Sequence, residues 1–110
     1  MFQENDYITR QIKTMVKGLG KFMGLEQIKE FLNLSEDEQS TITDEELESI
    51  IATSKLELIS SNKGITIKEL AAELNMNEKE LNQLMDNEII ASEGKIDQLN
   101  QYINQNQSYL

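Results

Sequence analysis

Apolar residues in this chain recur at helical rather than strand intervals. Over residues 5–23, Ile8, Ile12, Met15, Leu19 and Phe22 follow one another at steps of four and three, and Val16 and Met23 widen the stripe. That spacing predicts an amphipathic helix with Asn5 or Asp6 as its cap, its polar face carrying Arg10, Lys13, Lys17 and Lys21. Gly18, Gly20 and Gly24 punctuate its end. They either stop the helix or let a second helix cross closely, since a glycine inside a helix costs about 1 kcal/mol against alanine. Leu25, Ile28, Phe31 and Leu32 resume a short helical pattern that ends near Asn33. From Asp44 to about Ser60, Leu47, Ile50, Ile51 and Leu58 share one face, while Leu56 and Ile59 lie elsewhere on the wheel. A helix apolar over most of its circumference is buried between neighbours, so this segment is the expected core helix. Gly64 is its expected stop.

The next stretch, Ile65 to Asn87, organises the chain. Ile67, Leu70, Ala71 and Leu74 fall at i, i+3, i+4 and i+7 on one helical face, and Thr66 with Glu69 forms a capping box at its start. Asn75 and Asn77 flank Met76 in a tight turn, since asparagine tolerates left-handed backbone geometry. Asn77 then caps a second helix bearing Leu81, Leu84 and Met85, with Glu78 and Glu80 in its first turn. The set Ala71, Leu74, Asn75, Met76 and Leu81 resembles the core positions of the helix-turn-helix superfamily, with Asn75 where the family usually has glycine. The competing reading is an ordinary αα-hairpin. The resemblance covers about a fifth of the chain. It implies a trihelical unit whose first helix is the preceding core helix and whose second-helix residues Lys79, Asn82 and Gln83 would face a DNA major groove.

Beyond Asn87 two readings stay open. Residues 88–97 hold two short β-prone pieces around Ser92-Glu93-Gly94, as in a vestigial β-wing; alternatively a helix runs on from Lys95, since Ile96, Leu99 and Ile103 keep helical spacing. The Gln- and Asn-rich end is expected to fray. The fold class expected is all-α. The organisation expected is an amphipathic N-terminal helical arm over 1–34, an acidic linker over 35–43, a helix-turn-helix-like domain over 44–98, and a helix end with a frayed polar tail over 99–110. The opening ENDYITRQIKTMVKGLGKFMG also resembles the start of small uncharacterised proteins of Gram-positive bacteria, which implies no activity.

Charge changes how the central stretch is read. The chain carries a net charge of −10, divided unevenly: residues 1–34 hold five basic and four acidic side chains, and residues 35–110 hold five basic and sixteen acidic. DNA affinity is dominated by phosphate neutralisation, and only Lys68, Lys79 and Lys95 lie near the expected reading helix, while Glu78, Glu80, Asp86 and Glu88 lie in or beside it. The field therefore favours a protein-interaction or regulatory module that docks a basic partner, with DNA-binding regulation by the helix 78–87 as the alternative. The face Ile8, Ile12, Met15, Leu19 and Phe22 is the expected site of packing, self-association or partner binding; a membrane-surface helix and a phosphate-touching basic arm are the other readings of that helix.

Chemistry is thin. With no His and no Cys, the usual general base and thiol nucleophile are missing, and the glycines lack the spacing of a phosphate-binding loop. Residues 35–46 resemble an EF-hand calcium loop, with Asp37 at the third position and Glu46 at the twelfth. Ser35 at the first position and Ser40 at the sixth depart from it, leaving only two carboxylates. Capping boxes Ser35–Glu38 and Thr43–Glu46 account for the same residues. We therefore expect no enzyme activity, no metal and no cofactor. Without cysteine, a secretory leader or a long apolar run, a cytoplasmic protein without integral membrane association is expected.

Overall fold

The computed structural model describes residues 2–32 and 42–110, and its architecture is all-helical. In chain order come α1 (Phe2–Leu19), α2 (Leu25–Leu32), α3 (Asp44–Lys63), α4 (Ile67–Glu73), α5 (Glu78–Met85) and α6 (Glu93–Gln105), followed by a 3₁₀ turn (Gln107–Tyr109).

Helix boundaries follow from local chemistry. Thr43 and Thr66 each close a capping box: the hydroxyl accepts the backbone N–H of Glu46 or Glu69, whose carboxylate accepts the threonine's own N–H. Asn77 and Ser92 cap α5 and α6 by accepting the N–H groups of Lys79 and Lys95. Three helices end in the same left-handed closure. Gly64 (φ 71°), Asn75 (φ 55°) and Asn87 (φ 59°) terminate α3, α4 and α5. The following N–H groups of Ile65, Met76 and Glu88 reach back to the carbonyls of Ser60, Ala71 and Gln83. Glycine or asparagine is needed at these three places because other side chains resist positive φ.

α3 is the common wall of two cores. On one side Ile50, Ile51 and Leu47 meet Ile12 and Val16 of α1, Ile28 of α2, and Ile42. On the other, Ala52, Leu56 and Ile59 meet α4 through Leu70, Ala71 and Leu74, α5 through Leu81 and Leu84, and α6 through Ile96, Leu99, Tyr102 and Ile103. The apolar circumference read from the sequence is thus explained. Burial even extends to Ser49, Thr53 and Ser54. The Ser49 hydroxyl accepts the Ala91 N–H at 3.1 Å, which ties the α5–α6 connection to α3.

The segment 1–34 does not stand off as an arm over its described length, because α1 and α2 share the first core with α3. Basic side chains of α1, the α1–α2 turn and α2 reach acids along α3: Lys13 pairs with Glu46 at 3.2 Å, Lys21 with Glu57 at 3.6 Å, and Lys29 with Asp44 at 3.2 Å. Each pair is partly exposed and contributes at most about 1 kcal/mol. Gly20 allows the close crossing: a Cβ there would lie 3.0 Å from Ile51 Cα and 3.2 Å from Ser54 Cβ of α3. Gly18 and Gly24 face open space.

Of the two readings left open for residues 88–97, the helical one holds. No β-wing forms over 88–97 among the described residues. Ser92 acts as a helix cap and Glu93-Gly94 as the first turn of α6, so the Ser-Glu-Gly sequence starts a helix instead of reversing a hairpin. The tail beyond α6 is placed against α3. Its 3₁₀ turn folds back on α3, where the Asn62 side-chain amide donates to the Tyr109 carbonyl and the Tyr109 ring lies beside Lys63.

Candidate functional site

The outer face of α5 gathers the residues singled out for base reading. Lys79 and Asn82 are exposed and Gln83 is half-buried, and all three line one shallow groove of about 530 Å³. Glu78, Asp86 and Glu88 line the same groove. The local structure explains this mixture. Leu81 and Leu84 are pinned inward and Met85 packs against the same core, so Glu78, Lys79 and Asn82 turn to solvent with Gln83 half-buried beside them. The closure at Asn87 then folds Glu88 back over the last turn. Of the nearby lysines, Lys95 is drawn towards Glu80 at 3.8 Å and donates to Gln98 at 3.2 Å. The face therefore offers amide hydrogen bonding, as a reading helix would, in a predominantly negative field.

The N-terminal apolar stripe is divided by its own fold. Ile12 is buried and Leu19 half-buried against α2 and α3, so these two serve the chain's own core. Met15 is 49% exposed and Phe22, beyond the end of α1, is 76% exposed. The Ile8 side chain lies outside the described residues. The outer face of α1 presents Tyr7, Gln11, Thr14 and Met15 with Arg10 alongside, and Phe31 on α2 is also exposed. The predicted stripe missed Tyr7 and Phe31 because a wheel identifies an apolar side and cannot say how much of it the chain itself covers.

The calcium-like stretch divides similarly. Asp37 and the Ser35–Glu38 box lie outside the described residues. Glu46 is committed to the Thr43 cap and to Lys13. Among the described residues no three acidic side chains come together as a metal site would require, and no helix is long and apolar enough to cross a membrane.

One polar cluster had no sequence signal. Lys63 Nζ donates to Glu73 at 2.8 Å, to the Asn106 side-chain oxygen at 3.1 Å and to the Tyr102 hydroxyl at 3.4 Å. The Tyr102 hydroxyl in turn donates to Glu73. Lys63 Nζ also lies 5.6 Å and 5.4 Å from the ring centroids of Tyr102 and Tyr109. The hydrogen bond from Lys63, then that from Tyr102, lowers the Glu73 pKa; the bond to Glu73 raises that of Lys63. Burial, followed by the Glu73 contact, raises Tyr102. The cluster ties α3, α4, α6 and the tail together, its polar groups hydrogen-bonded to one another. Its members lie 10, 39 and 43 residues from Lys63, beyond any local pattern.

Compared with family models, curated proteins and solved structures, the chain matches none.

Proposed function

We propose that this protein is a non-enzymatic protein-interaction or regulatory module built on a helix-turn-helix-like scaffold. The observation that carries the reading is the α5 face. Lys79, Asn82 and Gln83 occupy positions suited to reading bases, yet Glu78, Asp86 and Glu88 surround them in the same groove. Phosphate neutralisation dominates DNA affinity, so a face of this sign repels a duplex and attracts a basic protein surface. The exposed Tyr7, Met15, Phe22 and Phe31 supply apolar contact area at the other end of the chain, where self-association or partner binding would occur. The absence of His and Cys from the sequence supports the non-enzymatic reading.

A salt series tests it. At about 50 mM salt, where electrostatic DNA binding is strong, random duplex should give no shift, while a lysine-rich peptide should bind and release as salt rises. Duplex binding with a steep salt slope would instead establish the DNA-regulator alternative. Light scattering of the intact chain and of Met15→Glu and Phe22→Glu tests the second surface. A monomer in all three removes self-association through this face.

A further inference from the structure

A cleft of about 310 Å³ opens between the α1–α2 turn, α3 and α6. It is separate from the α5 groove. Ile51 and Ile103, both buried, form its apolar floor, and half-buried Leu25 stands on its rim. Its volume falls near the lower end of small-ligand pockets, roughly 300–1,000 Å³.

The cleft is polar at one end in a specific way. Lys55 lines it, half-buried, and its Nζ donates to the carbonyls of Gly20 and Met23, both at 2.7 Å. These acceptors are neutral and use two of the three N–H groups of the ammonium. Among the described residues, no carboxylate forms an ion pair with Lys55. Burial lowers its pKa, the mark of a charge desolvated without a matching anion. α2 begins at Leu25 on the same rim, where Glu26 in its first turn offsets the N-terminal dipole and the Gln27 side chain accepts the Gly24 N–H at 3.0 Å, so the positive charge of this end of the cleft is that of Lys55. The acidic side chain lining the cleft is Glu48, two helical turns from Lys55 on α3, roughly 10 Å along the axis, and the tail residues Gln107 and Leu110 line it as well. Asn104 lines the α6 wall.

We propose that this cleft binds a small amphipathic carboxylate, its head group at Lys55 and its hydrocarbon chain over Ile51, Ile103 and Leu25. The anion supplies the counter-charge that the fold leaves out at Lys55, and the chain covers the apolar floor. This site goes beyond the interaction reading above and does not depend on it, so either can fail alone.

Octanoate, octylammonium and acetate, titrated separately into the intact chain and followed by amide chemical shifts, test the proposal. Octanoate should bind saturably, with shifts centred on residues 24–25, 51–55 and 100–104, while acetate and octylammonium bind at least about tenfold more weakly, the loss expected on removing the apolar chain or the charge-assisted hydrogen bond. Lys55→Met should weaken octanoate by a similar factor. Because Lys55 also holds the α1–α2 turn, a second variant keeps it: Leu25→Glu places a carboxylate on the rim and should abolish octanoate binding while sparing octylammonium. Absence of octanoate binding, equal affinity for octylammonium, undiminished binding to the two variants, or shifts confined to the outer face of α1 would each overturn it.

Discussion

Two glycines two residues apart should respond to alanine in opposite directions. At Gly20 an added Cβ would meet the Val16 carbonyl oxygen at 2.8 Å, Ile51 Cα at 3.0 Å and Ser54 Cβ at 3.2 Å. The first two are backbone atoms and cannot rotate away: the Val16 oxygen belongs to the last turn of α1, which must distort, and Ile51 Cα belongs to α3, from which the end of α1 must lift. Val16 is fully buried and Ile51 7% exposed, so that movement opens the first core. Overpacking of this kind costs about 1–3 kcal/mol. For a domain of this size it lowers the melting temperature by roughly 5–20 °C. The Gly20 backbone is not in the left-handed region, so the clash alone decides the sign. Gly18 lies inside α1 with nothing within 4 Å of an added Cβ. There alanine removes only a flexible residue and should stabilise by up to about 1 kcal/mol. Urea denaturation of Gly18→Ala and Gly20→Ala, with thermal melts by circular dichroism, measures both. A Gly20→Ala protein as stable as the parent, or two shifts of the same sign, would refute the close crossing of α1 and α3.

Ser49→Ala should cost about 1–3 kcal/mol in urea denaturation, because the buried Ala91 N–H loses its acceptor; a neutral result would mean that the connection is not held there. Thr66→Ala should cost about 1 kcal/mol and Thr66→Ser much less, since serine keeps the oxygen that accepts the Glu69 N–H. Glu73→Gln should lower stability at neutral pH. The folded-state pKa of Glu73 is lowered from 4.5, so its contribution is present above 4.5 and is lost as pH falls through the lowered value. The raised Lys63 pKa makes that side's contribution full below 10.5 and lost only as pH rises through the raised value. Parent and variant melting curves should therefore converge at both pH extremes, and a gap independent of pH would contradict the charge pairing.

Features decided within a few residues were legible in the sequence. Thr43, Thr66 and Asn77 cap the helices they were expected to cap, because a capping oxygen needs only an N–H two or three residues away. Asn75 and Gly64 take left-handed geometry for an equally local reason. The wing illustrates where this stops. Ser92-Glu93-Gly94 suits a hairpin turn and a helix start alike, and the choice fell to the burial of Ile96 and Leu99 in the second core. Phe22 and Ile12 share a sequence periodicity but have opposite exposures, because α1 ends at Leu19 and Phe22 lies in the α1–α2 turn, off the packed face. Lys55 carried a faint signal: a charged residue between buried Ser54 and Leu56 marks a place where a helix apolar all round must meet something polar. What it meets, the carbonyls of Gly20 and Met23, lies more than 30 residues away.

The double use of α3 also sets how the chain comes apart. Ile50 and Ile51 serve one core and Ala52 the next, with no spacer between them, so neither half has a boundary at which to detach. Melting of the α1–α2 hairpin strips one flank of the helix on which α4, α5 and α6 rest. For the described residues this couples the two halves into one cooperative unit, in which a disturbance at Gly20 reaches Leu99 through a single helix.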